Sequence, residues 1–219
     1  MMVGSLFAGI GGFDLAAEQA GMTVAWQSEN NRPASNVLAH RFKVHNYGDV
    51  HGVESPPTVD VLSGGFPCQD YSVAGQRGGL AGDRGALWWE YHRLITGLRP
   101  TWVVAENVPG LLSSRDGQDF ETIVGSLTEL GYGVAWRVLD SQFFGVAQRR
   151  RRVFIVGYFG KPCPAEVLFE SESGTGDSPQ GRSAGEGVTA AIVARTQKGG
   201  FTDPVNDNII VAATLRYVC

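Results

Sequence analysis

Along the first 157 residues, apolar runs of strand length alternate with stretches whose apolar positions recur every three or four residues. The strand-length runs are Val3 to Phe7, Thr23 to Ser28, Val59 to Ser63, Thr101 to Ala105, Val134 to Leu139 and Arg152 to Gly157. Helical spacing is plainest in the stretch opening near Asp116, where Phe120, Ile123, Val124, Leu127 and Leu130 form one stripe that stops at Gly131. Strands alternating with helices are the habit of a mostly parallel sheet covered by helices, so the spacing predicts an α/β domain over 1–160. Beyond Gly160 the texture changes. Residues 170–187, ESESGTGDSPQGRSAGEG, carry no period, and 161–187 reads as a linker or long loop. GVTAAIVART and NIIVAATLRYV each fit a strand, so 188–219 reads as a partial, β-rich module: a lone hairpin cannot bury its own face.

Composition narrows the classes. A chain of 219 residues with 43% hydrophobic content suits one sizeable core and excludes wholesale disorder. Eighteen Lys+Arg against 22 Asp+Glu leave a formal charge of -4, so contact with a polyanion has to come from a local patch. The longest apolar runs, WVVA and VFIVG, are far shorter than the ~20 residues of a membrane span, and MMVGSLFAG has no secretory pattern. A cytoplasmic location is therefore expected. Cys68, Cys163 and Cys219 are too few and too scattered for a disulfide framework, and no cluster has metal-ligand spacing.

Five local patterns carry chemistry. The first strand runs into Phe7-Ala8-Gly9-Ile10-Gly11-Gly12, a glycine turn where a ligand can approach the backbone. Its spacing is wrong for a dinucleotide pyrophosphate cradle, which argues against an NAD-dependent oxidoreductase. Glu29 stands at the end of the second strand, where such folds place a carboxylate on ribose hydroxyls; the plain alternative is a solvated loop acid beside Asn30. Gly64-Gly65-Phe66-Pro67-Cys68-Gln69 follows the strand VDVLS and puts a thiol at a carboxyl end of the sheet, as a nucleophile or as an inert small hydrophobe. Glu106-Asn107-Val108 follows WVVA, placing a carboxyl group at the next carboxyl end, either to handle a proton or to cap a loop. Finally, Gln148-Arg149-Arg150-Arg151-Arg152 is an anion site or a solvated basic edge. If that run is extended, Gln148, Arg150 and Arg152 share one side.

In this order, FAGIGGF, SEN, GDV, GGFPCQ, ENV and QRRRRVF resemble the cytosine-C5 DNA methyltransferases over roughly residues 1–160. The resemblance implies a doubly wound, Rossmann-like sheet of the S-adenosylmethionine-dependent type. It assigns S-adenosyl-L-methionine to Phe7, Gly9, Ile10, Gly11, Gly12, Glu29, Asn30, Asp49, Val50, Pro67 and Leu87. Cys68, Glu106, Arg150 and Arg152 become catalytic by the same likeness. Double-stranded DNA is the implied partner, contacted by Gln69, Ser72, Gln76, Arg77 and Gln148, with the target base flipped out of the helix. No metal is implied. By the likeness 188–219 would be the start of a target-recognition domain, incomplete; the pattern departs at Ser5, where many relatives place Asp, and its later motifs, including an Asn motif that returns to the cofactor site, are not found. The chain therefore reads as an incomplete member, either a fragment or one half of an enzyme completed by a second chain. A non-catalytic remnant and a transferase acting on tRNA are the competing readings.

Overall fold

The structure, a computed structural model, describes residues 1–67, 86–164 and 167–168. Its strands are β1 Met2–Leu6, β2 Thr23–Ser28, β3 His45–Asn46, β4 Val61–Gly65, β5 Trp102–Asn107, β6 Tyr132–Asp140 and β7 Arg151–Phe159. Its α-helices are α1 Gly12–Gln19, α2 Arg32–Arg41, α3 Ala86–Leu98 and α4 Gln118–Glu129. Among the described residues the seven strands form one sheet in the order β3-β2-β1-β4-β5-β7-β6. The first five run parallel, and β7 lies antiparallel between β5 and β6. This is a doubly wound, mostly parallel sheet, and the strand order reverses between β1 and β4, the place where such sheets open a crevice.

All six sequence-predicted strands are present, displaced by at most two residues at an end. β3 leaves no trace in the sequence, because two residues show no periodicity; it exists through Trp26 pairing with His45 and Gln27 with Asn46. β6 and β7 run longer than predicted because the antiparallel ladder carries pairing from Tyr132 with Phe159 to Asp140 with Arg151. The regular strand thus begins at Arg151, so strict alternation of the arginines holds only from there. The 188–219 module lies outside the described residues, as does most of 161–187. The stretch Lys161–Cys163 lies against Gly133 on β6, where a Cβ would collide with it. No described helix is long and apolar enough to cross a membrane.

Period-two alternation divides the sheet. Leu6, Leu62, Val103, Ala105, Val153 and Ile155 share one core with Trp88, Tyr91 and Ile95 of α3 and Ile123 and Leu127 of α4. Val3 and Val61 face the other way and meet Ala17 of α1. Trp88 is fully buried between Phe66 and Tyr91, so it is a packing residue.

Beneath the glycine turn, that second face holds a polar knot. Asp14, in the first turn of α1 and fully buried, accepts hydrogen bonds from the Ser5 hydroxyl at 3.2 Å and the Gln27 amide at 2.9 Å. It ties α1 to β1 and β2. Burial raises the Asp14 carboxyl above its ordinary range, a shift that the hydrogen bonds from Gln27 and Ser5 oppose. A raised folded value means that protonation favours the fold: the contribution is complete below the unfolded value near 3.8 and is lost as pH climbs through the folded one. Two outcomes are expected in denaturant melts. Asp14→Ala, which strands two buried polar groups, should cost about 2–4 kcal/mol. Asp14→Asn, which cannot ionise, should gain on wild type as pH rises above about 4; parallel pH profiles for Asp14→Asn and wild type would contradict the assignment.

Candidate functional site

Gly11 turns the chain out of β1 and into α1. Its φ of 89° is a left-handed conformation, and a Cβ there would stand 2.3 Å from the Phe42 ring, so no larger residue fits. Phe7 also takes a positive φ, 50°, the kind of strain that a site rather than a core sustains. Beyond these residues a cleft, open to solvent, is lined by Phe7, Ser28, Glu29, Asn30, Gly48, Asp49, Val50, Pro67 and Leu87. It lies at the carboxyl ends of β1, β2 and β4, at the reversal of strand order.

The polar groups of the cleft are held from behind. Glu29 accepts from the Gly9 amide at 2.8 Å and the Asn31 amide at 2.7 Å, one on each carboxylate oxygen. A carboxylate has about four lone-pair positions, so two remain for a ligand. Asn46 fixes the segment: its oxygen accepts from the amides of Glu29 and Gly48, and its nitrogen donates to the Glu29 carbonyl and the Ser35 hydroxyl. Asp49 accepts from the His51 amide, from the His51 ring at 2.6 Å and from Asn30. These bonds, the His51 amide first, hold the Asp49 carboxyl below its ordinary range, and it stays anionic.

A second constellation lies at the carboxyl end of β5. Glu106 pairs in register with Gly65 on one side and Phe154 on the other, and Arg152 lies two residues from Phe154 on the same face. That diagonal brings the Arg152 Nε within 2.8 Å of a Glu106 carboxylate oxygen, both side chains being partly exposed. The other carboxylate oxygen sits 2.8 Å from where a Cβ of residue 65 would stand, which explains the glycine. Asn107, buried, donates to the Phe66 carbonyl at 3.1 Å and so fixes the turn that leads into Cys68.

Seven residues predicted to form a cofactor wall therefore share one cleft: Phe7, Glu29, Asn30, Asp49, Val50, Pro67 and Leu87. Gly9 adjoins it through Glu29, whereas Ile10, Gly11 and Gly12 do not line it, because Gly11 directs the chain away, and Ile10 is exposed. Glu106 and Arg152 meet; Arg150 and Gln148 are exposed beyond the strand. Cys68, Gln69, Ser72, Gln76 and Arg77 lie outside the described residues. Sequence reasoning missed Asp14, Asn46, His51 and the role of Asn107. Their task is to hold other groups, and a supporting hydrogen bond leaves no periodic signal.

A doubly wound, mostly parallel sheet with a cleft at its switch point defines the Rossmann-like class of α/β domains. Within that class the chain belongs to the C-5 cytosine-specific DNA methylase family, whose profile matches residues 1–180. It is similar to the type II methyltransferase M.BanI of Aneurinibacillus aneurinilyticus, 39% identical over 79% of this chain and 41% of the relative. It is also similar to a phage P1 protein named DNA N-6-adenine-methyltransferase, 38% identical over 87% of this chain and 33% of the relative. Among solved structures, a candidate DNA modification methyltransferase encoded within an Escherichia coli prophage superimposes with a TM-score of 0.62 at 26% identity, covering 73% of this chain and 47% of the other. The chain thus spans less than half the length of the curated relatives it matches.

Proposed function

We propose that this chain carries the catalytic part of an enzyme that transfers a methyl group from S-adenosyl-L-methionine to C5 of a flipped-out cytosine in duplex DNA. The Glu106–Arg152 pair carries the reading, because Glu106 stands on β5 directly beside β4 and the Gly65–Pro67 turn that leads into Cys68, and β7 on the other side of β5 brings Arg152 to it. The cleft fits the cofactor. Two carboxylates and an amide suit ribose and adenine edges, and Phe7, Val50, Pro67 and Leu87 suit the flat adenine ring and the methylene stem beside the sulfonium. Bound there, the cofactor supplies an electrophilic methyl group.

The chain's own residues then activate the base. Cytosine C5 is a weak nucleophile until a group adds to C6, and the Cys68 thiolate is that group. Addition pushes an electron pair toward N3 and O2. Glu106 gives a proton to N3 and accepts from the exocyclic amine, Arg152 faces O2, and together they neutralise the developing charge. Arg152 also holds the Glu106 carboxylate in place. Loss of the C5 proton to a base, with departure of Cys68, restores the aromatic ring. The remaining length found in the relatives is supplied, on this reading, by the rest of a longer protein or by a second chain carrying the later motifs. Retention of the GFPC, ENV and QxRxR sequences together argues against a non-catalytic remnant.

The test is transfer of labelled methyl from S-adenosyl-L-methionine to duplex DNA and to tRNA, with nucleoside analysis of the product. 5-Methylcytosine in DNA is expected. N6-methyladenine in DNA, or label in tRNA alone, would overturn the assignment. Glu29→Ala should weaken cofactor binding measured by calorimetry by about 10- to 100-fold, the worth of one or two hydrogen bonds to a charged acceptor. An unchanged affinity would remove Glu29 from the cofactor wall.

A further inference from the structure

Between β6 and β7 the chain makes a turn whose tip is apolar and whose base is clamped. Phe143 is 71% exposed, Phe144 64% and Val146 51%. Single exposed apolar residues are ordinary, but three within four positions form a patch that asks for a partner. The turn is not a loose loop. Asp140, nearly buried, accepts from the Gln142 amide, the Gln142 side chain and the Arg150 amide, and its other contact is the Arg149 guanidinium at 3.6 Å. The Ser141 amide donates to the Arg150 carbonyl and its hydroxyl to the Gln148 carbonyl. Gly145 completes the bend in the left-handed region. The clamp holds the two rings outward.

Position and charge choose the partner. Val153 pairs with Asn107, so the turn emerges at the carboxyl end of β5, the end that bears Glu106. Residues 141–152 contain four arginines and no acid, in a chain whose net charge is -4. Asp140, just before them, is occupied beneath the tip by the donors named above. Arg149 leaves 58% of its side chain exposed. Exposed rings beside exposed guanidinium groups suit a polyanion with flat apolar faces, which is a nucleic acid.

We propose that this turn is an additional DNA contact: Phe143, Phe144 and Val146 press on base or sugar faces next to the target, and Arg149 takes a backbone phosphate. Opening the stack to extrude a base exposes such faces, and apolar side chains are the usual wedge. This rests on the reading of duplex DNA as substrate.

The test is fluorescence anisotropy of the full 219-residue chain with labelled DNA duplexes that hold one mismatched, readily extruded cytosine in random flanking sequence, over a range of salt concentrations. Phe143→Ala/Phe144→Ala should weaken binding about 10- to 100-fold with the salt slope unchanged, because apolar contacts release no counterions. Arg149→Gln should lower the slope by about 1. Cofactor affinity should stay at the wild-type value in both. A double variant that binds DNA like wild type overturns the contact and leaves the substrate reading standing. A wild-type chain that binds cofactor but no DNA overturns both. Should the double variant lose its cofactor affinity, Phe143→Gln and Phe144→Gln are made singly, and wild-type DNA binding in both overturns the contact equally. A protein-docking role for the patch, shown by unchanged DNA binding with altered oligomeric state, also overturns the inference.

Discussion

Replacing Glu106 by Gln is expected to slow methyl transfer by about 10²- to 10⁴-fold, the range over which a positioned acid or charge-stabilising group contributes. The change keeps the shape of the side chain. Gln still fills the gap above Gly65 and can still accept from Arg152 Nε, so the ladder from Gly65 through Glu106 to Phe154 should survive. What is lost is the negative charge that offsets Arg152 and the proton exchanged with the cytosine ring. The loss should therefore fall on kcat, with the KM for S-adenosyl-L-methionine unchanged, because Glu106 does not line the cofactor cleft. Equal losses in kcat and in cofactor affinity would mean that Glu106 acts by supporting the cleft.

Cys68→Ala is expected to abolish turnover. Without addition at C6 no neighbouring charge makes C5 adequate as a nucleophile, so a thiol that forms the bond is not backed up by any other group in the proposed mechanism. The variant should keep its melting temperature and its cofactor affinity. Measurable 5-methylcytosine formation by purified Cys68→Ala would remove the covalent step from the account. The paired result is informative: a Glu106→Gln enzyme that is slow beside a Cys68→Ala enzyme that is dead separates charge stabilisation from bond formation.

Much of the fold is legible in the sequence. Strands announce themselves because central strands covered on both faces read as continuous apolar runs, as WVVA does on parallel β5 and VFIVG on antiparallel β7. Turns that need glycine or a sheet-end carboxylate are also visible, and Glu29, Asp49 and Pro67, separated widely in sequence, do line one cleft. Pairing is different. Nothing in the order of residues says that β7 inserts between β5 and β6, and it is that antiparallel insertion which carries Arg152 to Glu106. The supports are hidden for a related reason. Asn46 and Asp14 matter through partners 17 and 13 residues away, contacts that exist only once β2 has found its neighbours. The Phe143–Phe144 turn gives no sequence signal either, since two aromatic residues before a basic run look like any strand end until their exposure is seen.

The most direct test of the central claim is covalent trapping. The purified chain is mixed with S-adenosyl-L-methionine and duplexes containing 5-fluorocytosine, then run under denaturing conditions beside Cys68→Ala. Fluorine at C5 cannot leave as a proton does, so the enzyme's bond to C6 is not released. A DNA-linked band that requires both Cys68 and the cofactor is expected, in the chain itself or once the later motifs are supplied by a second chain. A linked band that persists in Cys68→Ala, or methylated DNA formed from ordinary cytosine duplexes with no band from the fluorinated ones, would contradict it.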